Sequence, residues 1–227
     1  MEVEGNRRMN STERVEPFDK HTFRYEAWFV RNKFAYQSEL NAVKMLLPSG
    51  EGVEVGVGSG RFAAPLGVGL GVDPSIEMMK ADKKRGIDVV GGVGEALPFS
   101  SSLFNFVLMV TTICFLDDME AALKEAFRIL KPGGSLIVGF IDRDSPLGRL
   151  YQKHKGENIF YSVARFYTVD EVIAQMANAG FRDSSLAQTI FRPLPEITAA
   201  EPVKKGYGEG SFVVIRAEKT FESKPVI

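Results

Sequence analysis

Short apolar runs alternate with amphipathic stretches along most of the chain. Five runs rich in Val, Ile and Leu predict strands buried on both faces, at residues 53–57, 68–72, 87–90, 104–110 and 135–141. Apolar positions at three- and four-residue steps predict helices over 75–85, 117–130 and 168–179. This alternation indicates crossover units, which build a parallel sheet covered by helices on both faces. Two later apolar stretches, 181–191 and 211–217, predict closing strands.

The segments outside this alternation define the expected organisation. Residues 1–16 are polar and lack periodicity, which predicts a flexible N-terminal arm. Residues 17–48 are helical in pattern and rich in aromatic side chains, so they predict a helical cap on a single domain covering 17–227. Residues 192–210 contain prolines and glycines without a period and predict a long loop before the last strand, either a lid or a loose connection.

Composition and charge narrow the class of partner. The chain carries 28 Lys and Arg against 29 Asp and Glu, and this balance argues against a nucleic-acid-binding surface. Cys114 is the only cysteine and lies in an apolar run, so we expect it to be a small buried hydrophobic residue. Neither His21 nor His154 has a partner at metal-ligand spacing, so no metal site is expected.

One uncharged stretch, residues 96–116, is long enough to cross a bilayer. Pro98, three serines and Asn105 interrupt it, so it predicts a loop followed by a short strand. The first residues carry Glu2 and Glu4 without an apolar segment behind them, which does not fit a secretory signal. We therefore expect a soluble, cytoplasmic protein without a membrane partner.

The feature that carries chemistry is a glycine-rich loop directly after the first predicted strand. Glycine recurs at alternate positions, Gly56, Gly58 and Gly60, which lets the backbone turn tightly and approach a ligand. Ligands of an open parallel sheet bind beyond the carboxyl ends of the strands, where this loop lies. Asp73 ends the second predicted strand, and a carboxylate there can accept hydrogen bonds from both ribose hydroxyls of a nucleoside cofactor.

The spacing of this loop differs from the dinucleotide-binding fingerprint, whose last glycine is replaced here by Arg61. The lysine of a nucleoside-triphosphate loop is also missing. Glu54 ends the first strand, and its negative charge suits a cationic ligand better than a phosphate. S-adenosylmethionine carries an amino group and a sulfonium and has no phosphate, so it fits this pattern. A nicotinamide oxidoreductase is the alternative.

Five ordered motifs together resemble the class I S-adenosylmethionine-dependent methyltransferases, in particular the small-molecule, type 11-like group. They are the segment 54–60, Gly71-Val72-Asp73-Pro74-Ser75, Gly94-Glu95-Ala96-Leu97-Pro98-Phe99, the segment 104–117 and Leu130-Lys131-Pro132-Gly133-Gly134. The resemblance implies an α/β, Rossmann-like, doubly wound fold with helices on both faces. Its sheet would have seven strands in the order 3-2-1-4-5-7-6, with strand 7 antiparallel.

The resemblance also implies which residues hold S-adenosylmethionine, whose product is S-adenosylhomocysteine. They are Glu54, Gly56, Gly58 and Gly60 at the methionine part, Asp73, Pro74 and Ser75 at the ribose, Gly94, Glu95 and Leu97 at the adenine, and Thr111 and Thr112 under the sulfonium. Val93 stands where the family commonly has an acidic residue that reads the adenine amino group. We therefore expect backbone groups near Gly94 and apolar contacts to hold the adenine.

The acceptor is narrowed by motifs that the chain lacks. Thr111-Thr112-Ile113-Cys114 replaces the signature of methyltransferases acting on DNA bases or glutamine, and Ile113 rather than a proline precedes the cysteine. We expect a small-molecule acceptor within segments 18–47, 142–167 and 192–210, in contact with Tyr25, Trp28 and Phe166. No catalytic base is nominated, and the oligomeric state is left open. The alternatives are a silent cofactor-binding regulatory protein and a protein or RNA methyltransferase.

Overall fold

The computed structural model describes residues 11–220, and its sheet has eight strands in the order β3-β2-β1-β4-β5-β8-β6-β7. The strands are β1 (Gly52–Val55), β2 (Leu70–Asp73), β3 (Asp88–Gly91), β4 (Phe104–Val110), β5 (Leu130–Ile141), β6 (Phe181–Thr189), β7 (Lys204–Lys205) and β8 (Phe212–Lys219). Neighbouring strands from β3 to β5 are parallel. Strand β8 is antiparallel to both β5 and β6.

The predicted α/β fold and strand order are confirmed, because β8 inserts antiparallel between β5 and β6. The strand count needs a correction from seven to eight. Lys204 and Lys205, within the predicted loop, pair with Gln188 and Ala187 of β6. A two-residue strand is too short to produce a period in the sequence, so only the backbone pairing reveals it.

Helices cover both faces of the sheet and fill the connections. They are α1 (Ser11–Lys20), α2 (Thr22–Arg31), α3 (Lys33–Leu46), α4 (Ala63–Leu66), α5 (Ile76–Asp82), α6 (Met119–Ile129), α7 (Pro146–Lys153) and α8 (Val169–Asn178). Helix α8 begins with a capping box between Thr168 and Glu171. Ser75 caps α5 by accepting a hydrogen bond from the Met78 amide. No helix within 11–220 is long and apolar enough to cross a membrane.

The predicted flexible arm is wrong for residues 11–16, which form the first turns of α1; residues 1–10 lie outside the described part of the chain. Pro17 lies inside this helix and its composition is polar, so the sequence gives no helical period there. The predicted cap 17–48 divides into the end of α1, α2 and α3. Helix α7 was not predicted, although Ser145 followed by Pro146 is a typical helix start.

The core consists of two apolar layers, one on each face of the sheet. Along β4, Val107 and Met109 pack into the layer that includes α6 and α8, whereas Phe106 and Leu108 pack into the layer that includes α2 and α3. All four are buried. Burying a side chain of this kind contributes about 1.5–3 kcal/mol. The central strands are therefore held rigidly, and the loops at their carboxyl ends are built on a fixed platform.

Candidate active site

The glycine loop follows β1 and has a backbone that side chains would obstruct. Gly56, Gly58 and Gly60 all have positive φ angles, of 69°, 58° and 73°. A Cβ atom on Gly56 would lie 2.4 Å from Cγ2 of Thr112, and one on Gly58 would lie 3.1 Å from the hydroxyl oxygen of Tyr25. The loop can therefore pass closely between α2 and the end of β4 only because these positions lack side chains.

A first cavity of about 810 Å³, including its solvent-open part, lies beyond the carboxyl ends of β1, β2 and β4. The predicted cofactor residues in its wall are Gly56, Gly58, Asp73, Pro74, Ser75, Gly94, Glu95, Thr111 and Thr112. Its ionisable lining residues are Asp73, Glu95, Asp117, Tyr25 and Arg14. The wall therefore carries more acidic than basic groups and suits a cationic ligand.

Asp73 stands at the end of β2 and is only 6% exposed. Its Oδ2 accepts a hydrogen bond from the Gly58 amide and its Oδ1 one from the Ser75 amide, both at 2.8 Å. Burial raises the pKa of Asp73 to about 6, although these two hydrogen bonds oppose the shift. The carboxylate thus fixes the glycine loop against the start of α5, and each oxygen keeps acceptor capacity for a ligand.

Three predicted cofactor residues do not line the first cavity. Glu54 is buried within β1, and the amide of Gly60 closes a turn on the carbonyl of Val57. Leu97 packs in the core beneath α6, and its amide donates to the carboxylate of Glu125. These residues support the wall from behind, so direct contact with a ligand in this cavity is not expected from them.

Glu95 lines the first cavity and also holds its wall in place. Its carboxylate accepts hydrogen bonds from the amides of Asp117, at 2.8 Å, and Asp118, at 3.2 Å. These amides directly precede α6, so the negative charge also lies at the positive end of that helix. Glu95 thereby connects the loop after β3 to the start of α6.

The turn after β4 is strained. Thr111 has a φ of 52°, a conformation that is costly for a β-branched residue. Two contacts maintain it, since its amide donates to the Gly139 carbonyl at 2.7 Å and its carbonyl accepts from the Cys114 thiol at 3.2 Å. The next residue, Thr112, donates its hydroxyl to the Val55 carbonyl at 3.0 Å. Strain of this kind is typical of functional sites.

Arg61 lies outside the wall of both cavities and is engaged elsewhere. Its guanidinium pairs with Glu26 of α2, which also binds Arg85 at 2.8 Å and accepts a hydrogen bond from the Ser59 hydroxyl. Burial alone would raise the pKa of Glu26, but these hydrogen bonds outweigh it and the pKa is lowered. The cluster fastens the glycine loop to α2, and it leaves no arginine at the loop for a phosphate.

A second cavity, of about 1180 Å³ including its solvent-open part, adjoins the first. Phe18, Tyr25, Thr111 and Phe115 belong to both walls. The three predicted acceptor-binding residues, Tyr25, Trp28 and Phe166, all line this second cavity. The rest of its wall mixes aromatic, aliphatic and charged side chains from α2, α3, β5, α7 and the segment 158–167, among others. The other aromatic lining residues are Phe29, Phe62, Phe140, Tyr151, Phe160, Tyr161 and Tyr167.

Two expectations about this region are wrong. The segment 192–210 lines neither cavity; Glu201 anchors it instead, accepting from the Phe191 amide at 2.6 Å and pairing with Arg192 at 2.7 Å. Cys114 is only partly buried by its neighbours and contributes to the wall of the second cavity. The thiol itself is removed from bulk water, which raises its pKa to about 12, so it is a neutral lining group although other atoms of the residue are exposed.

Comparison with known proteins identifies the family. Residues 53–138 match the family described as methyltransferase domain. A crystal structure from Thermotoga maritima, described as a SAM-dependent methyltransferase and possible histamine N-methyltransferase, is 53% identical, with a TM-score of 0.90 over 91% of this chain and all of that one. The protein is a class I S-adenosylmethionine-dependent methyltransferase.

Two further relatives carry different descriptions, one without a function and one with a methylase activity. An uncharacterized protein of Methanocaldococcus jannaschii is 45% identical to the methyltransferase over 202 residues, which are 89% of this chain and 98% of the relative. A mitochondrial 2-methoxy-6-polyprenyl-1,4-benzoquinol methylase of Danio rerio is 30% identical over 156 residues, 64% of this chain and 46% of that protein. Neither relative identifies the acceptor of this methyltransferase.

The first cavity of the methyltransferase fits S-adenosylmethionine in shape and charge. The loop glycines form a cradle that a Cβ at Gly56 would obstruct, and the wall carries three carboxylates against one guanidinium. When bound, the cofactor supplies a methyl group already activated by its sulfonium. Among the described residues, no group of three or more His, Cys, Asp and Glu side chains has the arrangement to hold a metal ion.

Sequence reasoning missed two contributors to the methyltransferase site. Helix α1 adds Arg14, Val15 and Phe18 to the wall of the first cavity, although this helix was predicted in part as a flexible arm. Glu39 of α3 lies in the wall of the second cavity. A charged residue among apolar positions of α3, between Ala35 and Val43, was the available signal for Glu39. Arg14 offers no comparable signal in the sequence.

Proposed function

We propose that the methyltransferase transfers the methyl group of S-adenosylmethionine, held in the first cavity, to a small molecule held in the second. The observation that carries this proposal is the shared wall: Phe18, Tyr25, Thr111 and Phe115 line both cavities. Two ligands bound on either side of these residues would adjoin at the strained turn of Thr111. The second cavity is lined by many aromatic and apolar side chains with a few polar groups among them, which suits a small organic acceptor.

The residues proposed to hold the cofactor follow from the geometry of the first cavity. The carboxylate of Asp73 would accept hydrogen bonds from the ribose hydroxyls, and Pro74 and Ser75 would flank them. Gly56 and Gly58 would contact the methionine part through their backbone, and Gly94 and Glu95 would lie beside the adenine. Thr111 and Thr112 would lie near the sulfonium.

The protein's own contribution to the reaction would be alignment of the two ligands and exclusion of water. The phenylalanine and isoleucine side chains of the second cavity form a part of its wall that offers no hydrogen-bonding groups to solvent. Holding two reactants in line can lower a barrier by about 7–11 kcal/mol. No lining thiolate is available as a nucleophile, because the Cys114 thiol stays protonated near neutral pH. Transfer directly to the acceptor fits this arrangement.

The descriptions of two relatives support a small acceptor. The Thermotoga maritima protein is described as a possible histamine N-methyltransferase and the Danio rerio protein as a benzoquinol methylase. Both names refer to small molecules. The acceptor of this methyltransferase belongs, in our proposal, to the same broad class, and its chemical type is argued separately below.

Calorimetry with S-adenosylhomocysteine, followed by methyl transfer from labelled S-adenosylmethionine to fractionated cell extract, tests the proposal. We expect binding of S-adenosylhomocysteine and label in the small-molecule fraction. Label in protein or RNA would contradict the small acceptor. Binding without transfer to any fraction would instead favour a silent regulatory protein.

A pair of variants on α2 tests the acceptor cavity. Trp28→Ala removes a ring from the wall of the second cavity and should reduce transfer without changing the affinity for S-adenosylhomocysteine. Phe23→Ala is the matched control, since Phe23 lies on the same helix, is 85% exposed and lines neither cavity. Equal transfer rates in the two variants would count against the second cavity as the acceptor site.

A further inference from the structure

The second cavity contains one buried carboxylate, that of Glu39. This residue lies on α3 and is 4% exposed, and it forms part of the cavity wall. No other described residue within 11–220 donates a hydrogen bond to its carboxylate or pairs with it. A carboxylate in this situation is costly unless it has a partner or is protonated. A ligand in the cavity could therefore supply the partner that the packed core does not give to the Glu39 carboxylate.

The tyrosines around Glu39 do not supply a compensating positive charge. Tyr36, Tyr151 and Tyr161 are close enough for their own ionisation to be disfavoured by its charge. Trp28 and Tyr161 act as hydrogen-bond donors toward the Tyr151 hydroxyl, so their own donor groups are engaged there. Burial raises the pKa of Glu39 to about 8, which is the response of a carboxyl group that lacks a compensating charge.

Aromatic rings surround the same space. Tyr151 and Tyr161 stack with centroids 4.1 Å apart, and Phe166 meets Tyr161 at 6.2 Å. Trp28 and Phe62 complete this part of the wall. The faces of aromatic rings attract cations, most strongly where water is excluded. A carboxylate together with several ring faces is an environment that favours a positively charged group over a neutral or negative one.

The cationic residues in the same wall lie at its exposed rim. Arg24, Arg31 and Arg165 are all exposed, whereas Glu39 is buried. Arg165 in addition donates to the carbonyl of Asp117 at 3.2 Å. Solvent screens exposed charges, so their repulsion of a cation deep in the cavity is weak.

We propose that the acceptor is an amine whose protonated nitrogen binds in the second cavity against the carboxylate of Glu39, among the rings of Trp28, Tyr151 and Tyr161. This inference rests on the proposed function, because it assigns the chemical class of the acceptor to the acceptor cavity. Glu39 is a positioning residue in this scheme: its carboxyl group gives up its proton as the ammonium binds beside it, and it fixes how the acceptor meets the wall shared with the first cavity. Because an ammonium has no lone pair, the methyl group is accepted by another nucleophilic atom of the acceptor.

Three matched probes test the charge preference. Phenethylamine, 2-phenylethanol and phenylacetate share a ring and a chain but are cationic, neutral and anionic near neutral pH. Their binding to the protein saturated with S-adenosylhomocysteine can be followed by the fluorescence of Trp28, the only tryptophan, which lines the second cavity. We expect the amine to bind about tenfold more tightly than the alcohol, and the acid to bind most weakly.

Variants assign this preference to Glu39. Glu39→Gln should reduce the amine-to-alcohol ratio to about one while leaving S-adenosylhomocysteine affinity unchanged, whereas Glu39→Asp should retain part of it. Glu196→Gln is the matched control, because Glu196 is exposed and lines neither cavity. Retention of the full preference in Glu39→Gln, or equal or undetectable binding of the amine to the wild-type protein, would overturn the inference.

Methyl transfer provides a second measurement. Pools of amines, of phenols and quinols, and of carboxylic acids are each incubated with labelled S-adenosylmethionine, and we expect label in the amine pool. Label confined to the phenol and quinol pool, or to the acids, would overturn the amine assignment while leaving the proposed methyltransferase reaction intact. Failure of the wild-type protein to bind S-adenosylhomocysteine would instead contradict the proposed function itself.

Discussion

At the scale of single residues, Asp73 combines a structural and a binding role. Its carboxylate oxygens already accept the amides of Gly58 and Ser75, and we propose that they also bind the ribose. Asp73→Asn should weaken binding of S-adenosylhomocysteine by about 1–3 kcal/mol at pH 7.5, because it replaces charge-assisted hydrogen bonds by neutral ones. Calorimetry measures this loss; unchanged affinity would contradict the ribose assignment.

The same residue predicts a pH dependence of binding. The pKa of Asp73 is raised to about 6 in the free protein, so the carboxylate is ionised above that pH and protonated below it. Affinity for S-adenosylhomocysteine should therefore be constant above pH 7 and fall as the pH drops through about 6 and below. Asp73→Asn should show a flat profile over this range. A parallel decline in both proteins would assign the titration to another group.

Glu39 predicts a pH dependence of stability. Stability should fall as the pH rises, whereas the affinity that depends on Asp73 should rise. The pKa of its carboxyl group is raised from 4.5 to about 8, so the folded protein keeps a proton that the unfolded chain releases. Stability therefore falls as the pH rises from about 4.5 to 8, by at most about 1.4 kcal/mol per pH unit. Glu39→Gln has no carboxyl group to ionise, so it should not lose stability in this way. Its Tm should match that of the wild-type protein near pH 4 and exceed it by a growing margin as the pH rises to 8. Glu196→Gln should follow the wild type throughout.

Individual residues of the site were predictable where their role depends only on their neighbours in the sequence. Asp73 follows a strand, and the positive φ angles of Gly56 and Gly58 require glycine, so sequence position alone identifies them. Glu54 and Leu97 carry the same sequence signal but lie behind the wall. Which side of a strand or turn a residue faces depends on packing, and sequence spacing does not fix that for isolated positions.

At the scale of elements, α1 covers one side of the first cavity and is fastened to the domain on both sides. Asp19 accepts from the Ser75 hydroxyl at 2.6 Å on one side, while Arg14 pairs with Asp117 at 2.8 Å on the other. Arg14 is 2% exposed and also donates to the Val163 carbonyl at 3.0 Å. A ligand cannot enter or leave the covered side of this cavity unless the helix moves, so we expect α1 to act as a lid.

Arg14→Gln tests the lid. Loss of one partner leaves a partly buried carboxylate on Asp117, which weakens attachment of α1. We expect S-adenosylhomocysteine to dissociate about tenfold faster in a stopped-flow displacement experiment, equivalent to about 1.4 kcal/mol. Lys20→Gln is the control on the same helix, since Lys20 is exposed and pairs only with Glu16 among the described residues. Equal dissociation rates in the two variants would show that α1 does not control release.

A helix or strand was predictable from the sequence when its own pattern of hydrophobic and polar residues was clear. Strand β4 matches its predicted bounds, because a continuous apolar run specifies a central strand by itself. Helix α1 contains Pro17 and few apolar residues, so contacts with distant segments rather than local propensity hold it. Strand β7 exists through pairing with β6 alone.

At the scale of the whole molecule, ligand binding should stabilise the native fold. The first cavity draws its wall from α1, the glycine loop and the segments after β2, β3 and β4, which come together only in the folded chain. A ligand that binds the native state alone adds about 2.7 kcal/mol at a concentration one hundred times its Kd. The Tm should rise steadily with S-adenosylhomocysteine concentration, and a smaller rise is expected for Asp73→Asn.

Hydrogen exchange can localise that stabilisation. Added S-adenosylhomocysteine should slow amide exchange in α1 and in the glycine loop, while the segment 192–210, which lines neither cavity, should be little affected. Uniform protection over the whole chain would indicate a purely global effect. Protection that omits α1 would contradict its role as a lid.

The sequence by itself determined the buried central strands and their parallel direction, the glycine loop and Asp73, because each strand, connection and loop has its pattern within one short segment. The order of the strands came from the resemblance to the family. The tertiary structure decided what encloses the two cavities. Arg14 meets Asp117 and Val163, and Glu39 lines the same cavity as Tyr151 and Tyr161, across long separations in sequence. Such partners are selected by the free energy of the folded chain as a whole, and no local pattern of hydrophobic and polar residues encodes which of them come together.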